Sequence, residues 1–151
     1  MSSPKLRIGR ASMPGHYYAV TLIVDGRRRL FSDSRLARCL AAELAPDALG
    51  MRFMPLAWTI MPDHAHPLVE LGDTSLSRCM QILKSRTSRE LGRLRRCPGR
   101  LWQQGFYDHC LRGDEDLLNQ ARYILNNPVR GALVERPGDY PFNWSIWGKE
   151  P

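Results

Sequence analysis

Residues 61–70 read MPDHAHPLVE, with His64 and His66 one residue apart. Alternate side chains of a strand share a face. Both imidazoles therefore point one way, while Ala65, Pro67 and Val69 point the other. Neutral imidazole is a common ligand for divalent metals, so the pair could converge on one ion. The same spacing is also met where two half-exposed histidines simply share a strand. A metal reading needs a third ligand from elsewhere in the chain.

A second candidate group lies on the segment from Asp116 to Asn127. At about 100° per residue, Leu117, Leu118, Ala121, Ile124 and Leu125 gather on one side of a helical wheel and form the core face. Tyr123 falls nearly opposite, with Asp116, Asn119, Gln120 and Asn127. Asn127 follows Tyr123 by four residues, which places the two side chains one turn apart on one face. A carboxamide oxygen can complete a metal site begun by two histidines. Asparagine before proline is equally a common turn residue, and Tyr123 equally suits a surface tyrosine touching another element.

The elements that must position these groups follow from patterning. His16 to Val24 is aromatic and β-branched and predicts a strand before the DGRRR turn. SDSRLARCLAAELA predicts a helix starting at Ser32 or Asp33, with Leu36, Leu40 and Leu44 inward and Pro46 and Gly50 closing it. Strands near Arg52–Ile60 and His64–Leu71 are joined by the MPD turn. Asp73 or Thr74 caps a long helix, TSLSRCMQILKSRTSRELGRLRR, that Pro98 and Gly99 end. Phe106–Arg112 predicts a fourth strand. GDEDLLNQARYILNNP then predicts a helix with acids at its positive end and a proline stop. The proline- and aromatic-rich tail folds back over the body. The order predicts a single α+β domain over residues 1–151. It is a ferredoxin-like antiparallel sheet with helices packed on one face, plus an extra C-terminal helix carrying the tyrosine.

The chain has 151 residues and a net charge of +7, from 22 Lys and Arg against 15 Asp and Glu. Such a balance favours a nucleic-acid or acidic-membrane partner. From Arg78 to Arg100 the basic residues Arg78, Lys84, Arg86, Arg89, Arg93, Arg95, Arg96 and Arg100 face one acid, Glu90, and Arg27, Arg28 and Arg29 form a second cluster. Such residues suit phosphate contacts, with a solvated helix face as the plainer alternative. Trp102, Phe106 and Tyr107 suit base stacking or core packing alike. No apolar run suggests a secretory signal or a membrane span. The scattered Cys39, Cys79, Cys97 and Cys110 predict reduced thiols in a cytoplasmic protein.

Taken in order, WTIMPDHAHPLVEL, LKSRTSREL, LWQQGFYDHCLR and RYILNNPVRGALV resemble the REP-associated tyrosine transposases, a branch of the single-tyrosine HUH transposases. GHYYAVTLIVDGRRRLF resembles that family's first strand and DYPFNWSIW its closing segment, so the likeness runs from about residue 13 to 147. It implies a ferredoxin-like domain that cuts and rejoins single-stranded DNA near palindromic hairpins, as a monomer or a homodimer. It further implies that His64 and His66 are the HUH histidines, Tyr123 the nucleophile and Asn127 the third ligand of Mg²⁺ or Mn²⁺. Zn²⁺ would also suit imidazole, but a closed zinc site would be expected to recruit cysteine.

Three residues depart from the family pattern. Ala65 replaces a bulkier apolar residue, and Asp63 stands where asparagine is frequent. Pro67 cannot donate to a sheet ladder, which predicts a bulge or an edge and a tilt at His66. Rival expectations are a repeat-binding protein that does not cut, a phosphodiesterase using activated water, and, more remotely, an RNA-binding module. His109 suits placing DNA or acting on a proton, with a structural strand histidine as the favoured expectation, and His16 is expected to be structural.

Overall fold

The computed structural model describes residues 5–7, 16–46, 48, 52–96, 99–111 and 116–151. Gly50, Cys97, Pro98, Arg112, Asp114 and Glu115, which figure in the readings above, lie outside them. The strands are β1 (Lys5–Arg7), β2 (Tyr17–Ile23), β3 (Phe53–Met61), β4 (His64–Leu71), β5 (Phe106–Leu111) and β6 (Asn143–Ser145). They form one antiparallel sheet in the order β1-β5-β2-β4-β3-β6. Its four central strands have the ferredoxin-like arrangement the sequence predicts. The helices are α1 (Ser34–Glu43), α2 (Leu76–Gly92), α3 (Leu117–Leu125) and α4 (Asn127–Arg130).

The helices divide between the two faces. α1 turns Leu36, Ala37 and Leu40 inward, and α2 turns in Leu76, Met80, Leu83, Thr87 and Leu91, the three-and-four spacing of a buried stripe. These pack on Val20, Leu22, Ile60, Ala65 and Val69 to make the larger core. Thr87 is tolerated there because its hydroxyl donates to Leu83 O at 2.8 Å and accepts from Trp102 Nε1 at 2.8 Å. α3 takes the opposite face, where Leu117, Ala121 and Ile124 cover Ala19, Ala57 and Leu68 in a smaller core. His64 and His66 alternate with Ala65 and share this second face with Leu68.

Asp33 caps α1, its side chain accepting from Arg35 N at 3.0 Å. For α2 the cap is Ser75, accepting from Arg78 N at 3.2 Å, one residue beyond the predicted cap. α3 ends at Leu125, ahead of the proline, but the chain takes up a further helical turn at once. Asn126 keeps near-helical dihedrals and Pro128 falls in the first turn of α4, where its missing N–H costs nothing. The tail adds an edge strand: β6 pairs with β3, and Trp144 stacks on Trp58 with ring centroids 6.2 Å apart. Asn143, only 2% exposed, donates to Leu125 O at 2.8 Å and so ties down the end of α3.

Pro67 sits neither at an edge nor in a bulge. β4 is central, and Pro67 pairs with Trp58 of β3 in unbroken register. Toward β2 the pairs run Tyr17–Glu70 to Ala19–Leu68 and resume at Leu22–Ala65 without a shift. The lapse between them spans the position opposite the missing N–H. The register shift in this sheet falls instead between Pro55 and Ala57 on β3. Cys39, Cys79 and Cys110 are free thiols. No helix among the described residues is long and apolar enough to cross a membrane.

Candidate active site

The hairpin joining β3 to β4 places His64 first on its strand, directly across from Met61. Its turn is held by two backbone bonds, Val24 N to Asp63 O at 2.9 Å and Phe31 N to Pro62 O at 3.0 Å. Asp63 Oδ1 lies 2.8 Å from His64 Nδ1, and its other oxygen accepts from Arg27 Nη1 at 3.2 Å. Burial by itself would raise the Asp63 carboxyl. The bonds from His64 and Arg27 outweigh it and hold the group below the usual carboxylate range. With Nδ1–H donated to a carboxylate, the lone pair of His64 is left on Nε2, the arrangement that orients metal-binding imidazoles.

Nε2 faces the Asn127 side chain, whose Nδ2 is 3.3 Å away. α4 seats Asn127 here because Gly131 lets the helix approach Met61 closely; a Cβ at that glycine would lie 3.1 Å from Met61 Cε. Rotation of the carboxamide would turn its oxygen toward the same point. His66 is held neutral, its pKa lowered to about 3 by burial, by neighbouring His64 and by the Arg130 guanidinium. Directly across from it, Thr59 is fully buried and its hydroxyl has no hydrogen-bond partner. Two imidazoles and a carboxamide, with an orphaned hydroxyl beside them, suit a cation that keeps oxygen ligands of its own. Among the described residues no group of three or more His, Cys, Asp and Glu side chains could hold a metal.

Tyr123 is 49% exposed, on the face of α3 turned from the core. The guanidinium of Arg130 lies 3.9 Å from its ring centroid and donates to Tyr123 O at 2.8 Å. Arg130 is thus a member of the site that patterning missed. Because near-helical dihedrals at Asn126 lead α3 into α4, Arg130, seven residues beyond Tyr123, comes back over its ring. Gln120, expected on the polar side, is only 7% exposed. It lines a cleft of 610 Å³ between α3 and β5, together with His109, Asp116, Asn119 and Tyr123.

The basic residues do not form one stripe. Arg86 pairs with Glu43 of α1 at 3.0 Å, whereas Lys84 donates to the carbonyls of Gln103 and Gly105. Burial, and then Arg100, lower the Lys84 pKa to about 8. Arg28 bonds Asp25 O and Arg100 O, and Arg93 pairs with Glu90. Arg29 and Arg89 are exposed. A 920 Å³ groove beside α2 brings together Arg78, Lys84 and Arg100. Trp102 and Phe106 are largely buried in the larger core, and their edges line the same groove.

The six-stranded sheet carries the ferredoxin-like arrangement at its centre, with Tyr123 on α3 and the paired histidines on β4 on one face. The family described as Transposase IS200 like matches residues 12–127, and the chain belongs to that family. A protein of Haemophilus influenzae, provisionally named a REP-associated tyrosine transposase, is 32% identical over 102 residues, or 60% of this chain. The REP-associated tyrosine transposase of Escherichia coli K12 is 29% identical over 89 residues, 58% of this chain. The matched stretches cover 58% and 51% of those relatives' own lengths. A solved structure of a REP-associated tyrosine transposase bound to a REP hairpin superposes with a TM-score of 0.71 at 23% identity, covering 91% of this chain and 81% of that one. A transposase-like protein from Deinococcus radiodurans superposes with a TM-score of 0.52 at 20% identity, covering 81% and 97%. At these identities the solved structures bear on the fold.

Proposed function

We propose that this protein is a divalent-metal-dependent endonuclease and strand transferase acting on single-stranded DNA at hairpin-forming repeats, through a covalent 5′-phosphotyrosine intermediate. The observation that carries the reading is the approach of Asn127 to His64 Nε2, 3.3 Å apart, with Asp63 holding the opposite ring nitrogen. Family membership supports the reaction class, and the relative solved with a REP hairpin supports the substrate.

Mg²⁺ or Mn²⁺, held by His64, His66 and Asn127, would withdraw charge from the phosphoryl oxygens. A phenol with an ordinary pKa near 10 is a weak nucleophile at neutral pH, so its placement matters as much as its activation. Arg130 lies over the face of the Tyr123 ring, restrains it there and brings a positive charge to the tyrosine. The Tyr123 oxygen bonds to phosphorus and gives up its proton, while the 3′ oxygen leaves and takes one up. The product is still a phosphodiester, so an incoming 3′ hydroxyl can reverse the step and join a new strand. Arg29, Arg78, Lys84, Arg89 and Arg100 would contact backbone phosphates, with the salt sensitivity such contacts carry.

The test uses end-labelled single strands bearing palindromic repeats, incubated with Mg²⁺ or Mn²⁺ and run on a denaturing gel. A protein–DNA adduct that needs the metal and vanishes in Tyr123→Phe is the expected outcome. Cleavage that persists in Tyr123→Phe would move the chemistry to water. Tight repeat binding with no cleavage by the unmodified chain would favour a protein that only holds the repeat.

A further inference from the structure

We propose that the cleft between α3 and β5 binds a nucleobase of the strand being cut, beside the scissile phosphate, and so helps to select the cleavage position. The assignment rests on the reading of Tyr123 as the nucleophile and adds a site to it. Tyr123 forms part of the cleft wall. Asn119 lies one turn before Tyr123 on α3, and Asn127 opens α4 four residues after it. A strand that brings its phosphate to the Asn127 turn therefore has the Asn119 turn within reach of the adjoining nucleotide.

The chemistry of the wall fits a base and not a phosphate. Asp116, Asn119 and Gln120 come from α3 and His109 from β5. Carboxamides offer a donor and an acceptor together, the pattern that reads a base edge, and a carboxylate accepts from an exocyclic amino group. Among the described residues lining the cleft there is no lysine or arginine. The groove beside α2 differs in this respect, with Arg78, Lys84 and Arg100 in its wall. The cleft's 610 Å³ falls in the usual range for small-ligand sites, roughly 300–1,000 Å³. Gln120 is 7% exposed and so is fixed in the wall, whereas Asn119 and Asp116 are exposed and can be changed without touching the core.

The experiment measures binding, so that it does not depend on cleavage. Fluorescent strands carrying a repeat hairpin and differing at one flanking nucleotide are titrated by anisotropy with the Tyr123→Phe chain, which keeps the ring in the cleft wall. We expect one flanking position to show a spread in Kd among the four bases of roughly five- to a hundredfold, the size of one paired base-edge contact. Adding Asn119→Ala should collapse that spread to about twofold, and adding Asp116→Asn should change the preferred base. The Kd of the hairpin without its flank should stay the same in both. An unchanged spread in the two variants, or no spread at any flanking position, would overturn the assignment. Base preference without any adduct from the unmodified chain would instead refute the tyrosine chemistry and leave the cleft in place.

Discussion

The two faces of the sheet are built on different principles. Under α1 and α2 lies the larger core, filled by aliphatic and aromatic side chains, of which Leu40, Leu76, Leu83 and Leu91 are fully buried. Its one buried hydroxyl on α2, Thr87, is fully satisfied. Under α3 the core is smaller. Beyond its rim stand two histidines, an unsatisfied threonine hydroxyl and a half-exposed tyrosine. One face supplies the stability that lets the other hold imidazole and carboxamide groups at fixed separations. On this view, changes on the histidine face should remove chemistry and spare stability, and changes on the α2 face should do the reverse.

The largest expected effect is on chemistry. His64→Ala or His66→Ala should lower metal-dependent adduct formation by about a thousandfold or more, since removing one member of a group that acts together forfeits most of its effect. Tm in thermal unfolding should move by only about 3 °C for His64→Ala, whose ring is partly exposed, and by somewhat more for His66→Ala, whose ring is buried. A fall in Tm matching that of a core substitution would break the comparison. From the other side, Leu83→Ala should cost about 2–5 kcal/mol and lower Tm by roughly 5–20 °C, as a cavity in a packed core does. Its adduct rate, measured well below the transition, should remain within about twofold. A tenfold loss in the still-folded protein would mean that the faces are coupled through the sheet.

Arg130→Ala should have an intermediate effect. It removes the stack on Tyr123 and the bond to Tyr123 O. Single-turnover adduct formation should slow by roughly ten- to a hundredfold, the cost of a misplaced reacting group, with DNA Kd little changed. Arg130→Lys keeps the charge and loses the guanidinium's broad contact over the ring, so it should recover only part of the rate. Equal loss of affinity and rate would reassign Arg130 to DNA binding.

The chain discloses some of this arrangement and conceals the rest for physical reasons. Alternation in β4 and the apolar wheel of α3 show in composition, because burial imposes a period on the residues themselves. β1 and β6 do not, since three residues are too few to display a period and only pairing with β5 and β3 makes them strands. Pro128 reads as a helix stop, yet tertiary packing continues the turn beyond it, and that concealed Arg130. The basic run on α2 reads as one surface. Its members in fact diverge, because Lys84 and Arg86 reach to opposite sides of the helix, toward the loop before β5 and toward α1. Asp63 was visible as a carboxylate next to a histidine. What it does depends on the hairpin turn and on Arg27, 36 residues earlier in the chain.

Asp63 gives the smallest effect and the finest test of the histidine face. If its role is to fix the tautomer of His64, the requirement is an acceptor at Nδ1 and not a negative charge. Asp63→Asn retains a carbonyl oxygen there and loses the ion pair with Arg27. Adduct formation should then stay within about threefold, because an exposed pair of this kind contributes little. Asp63→Ala removes the acceptor and leaves the ring free to turn or to exchange its proton between nitrogens. Apparent metal affinity in the adduct assay should then weaken roughly tenfold or more, with saturating metal restoring part of the rate. Equal damage from both substitutions would make the charge the essential feature and the Arg27 pair its purpose. Damage from neither would leave Asn127 alone to orient the ring.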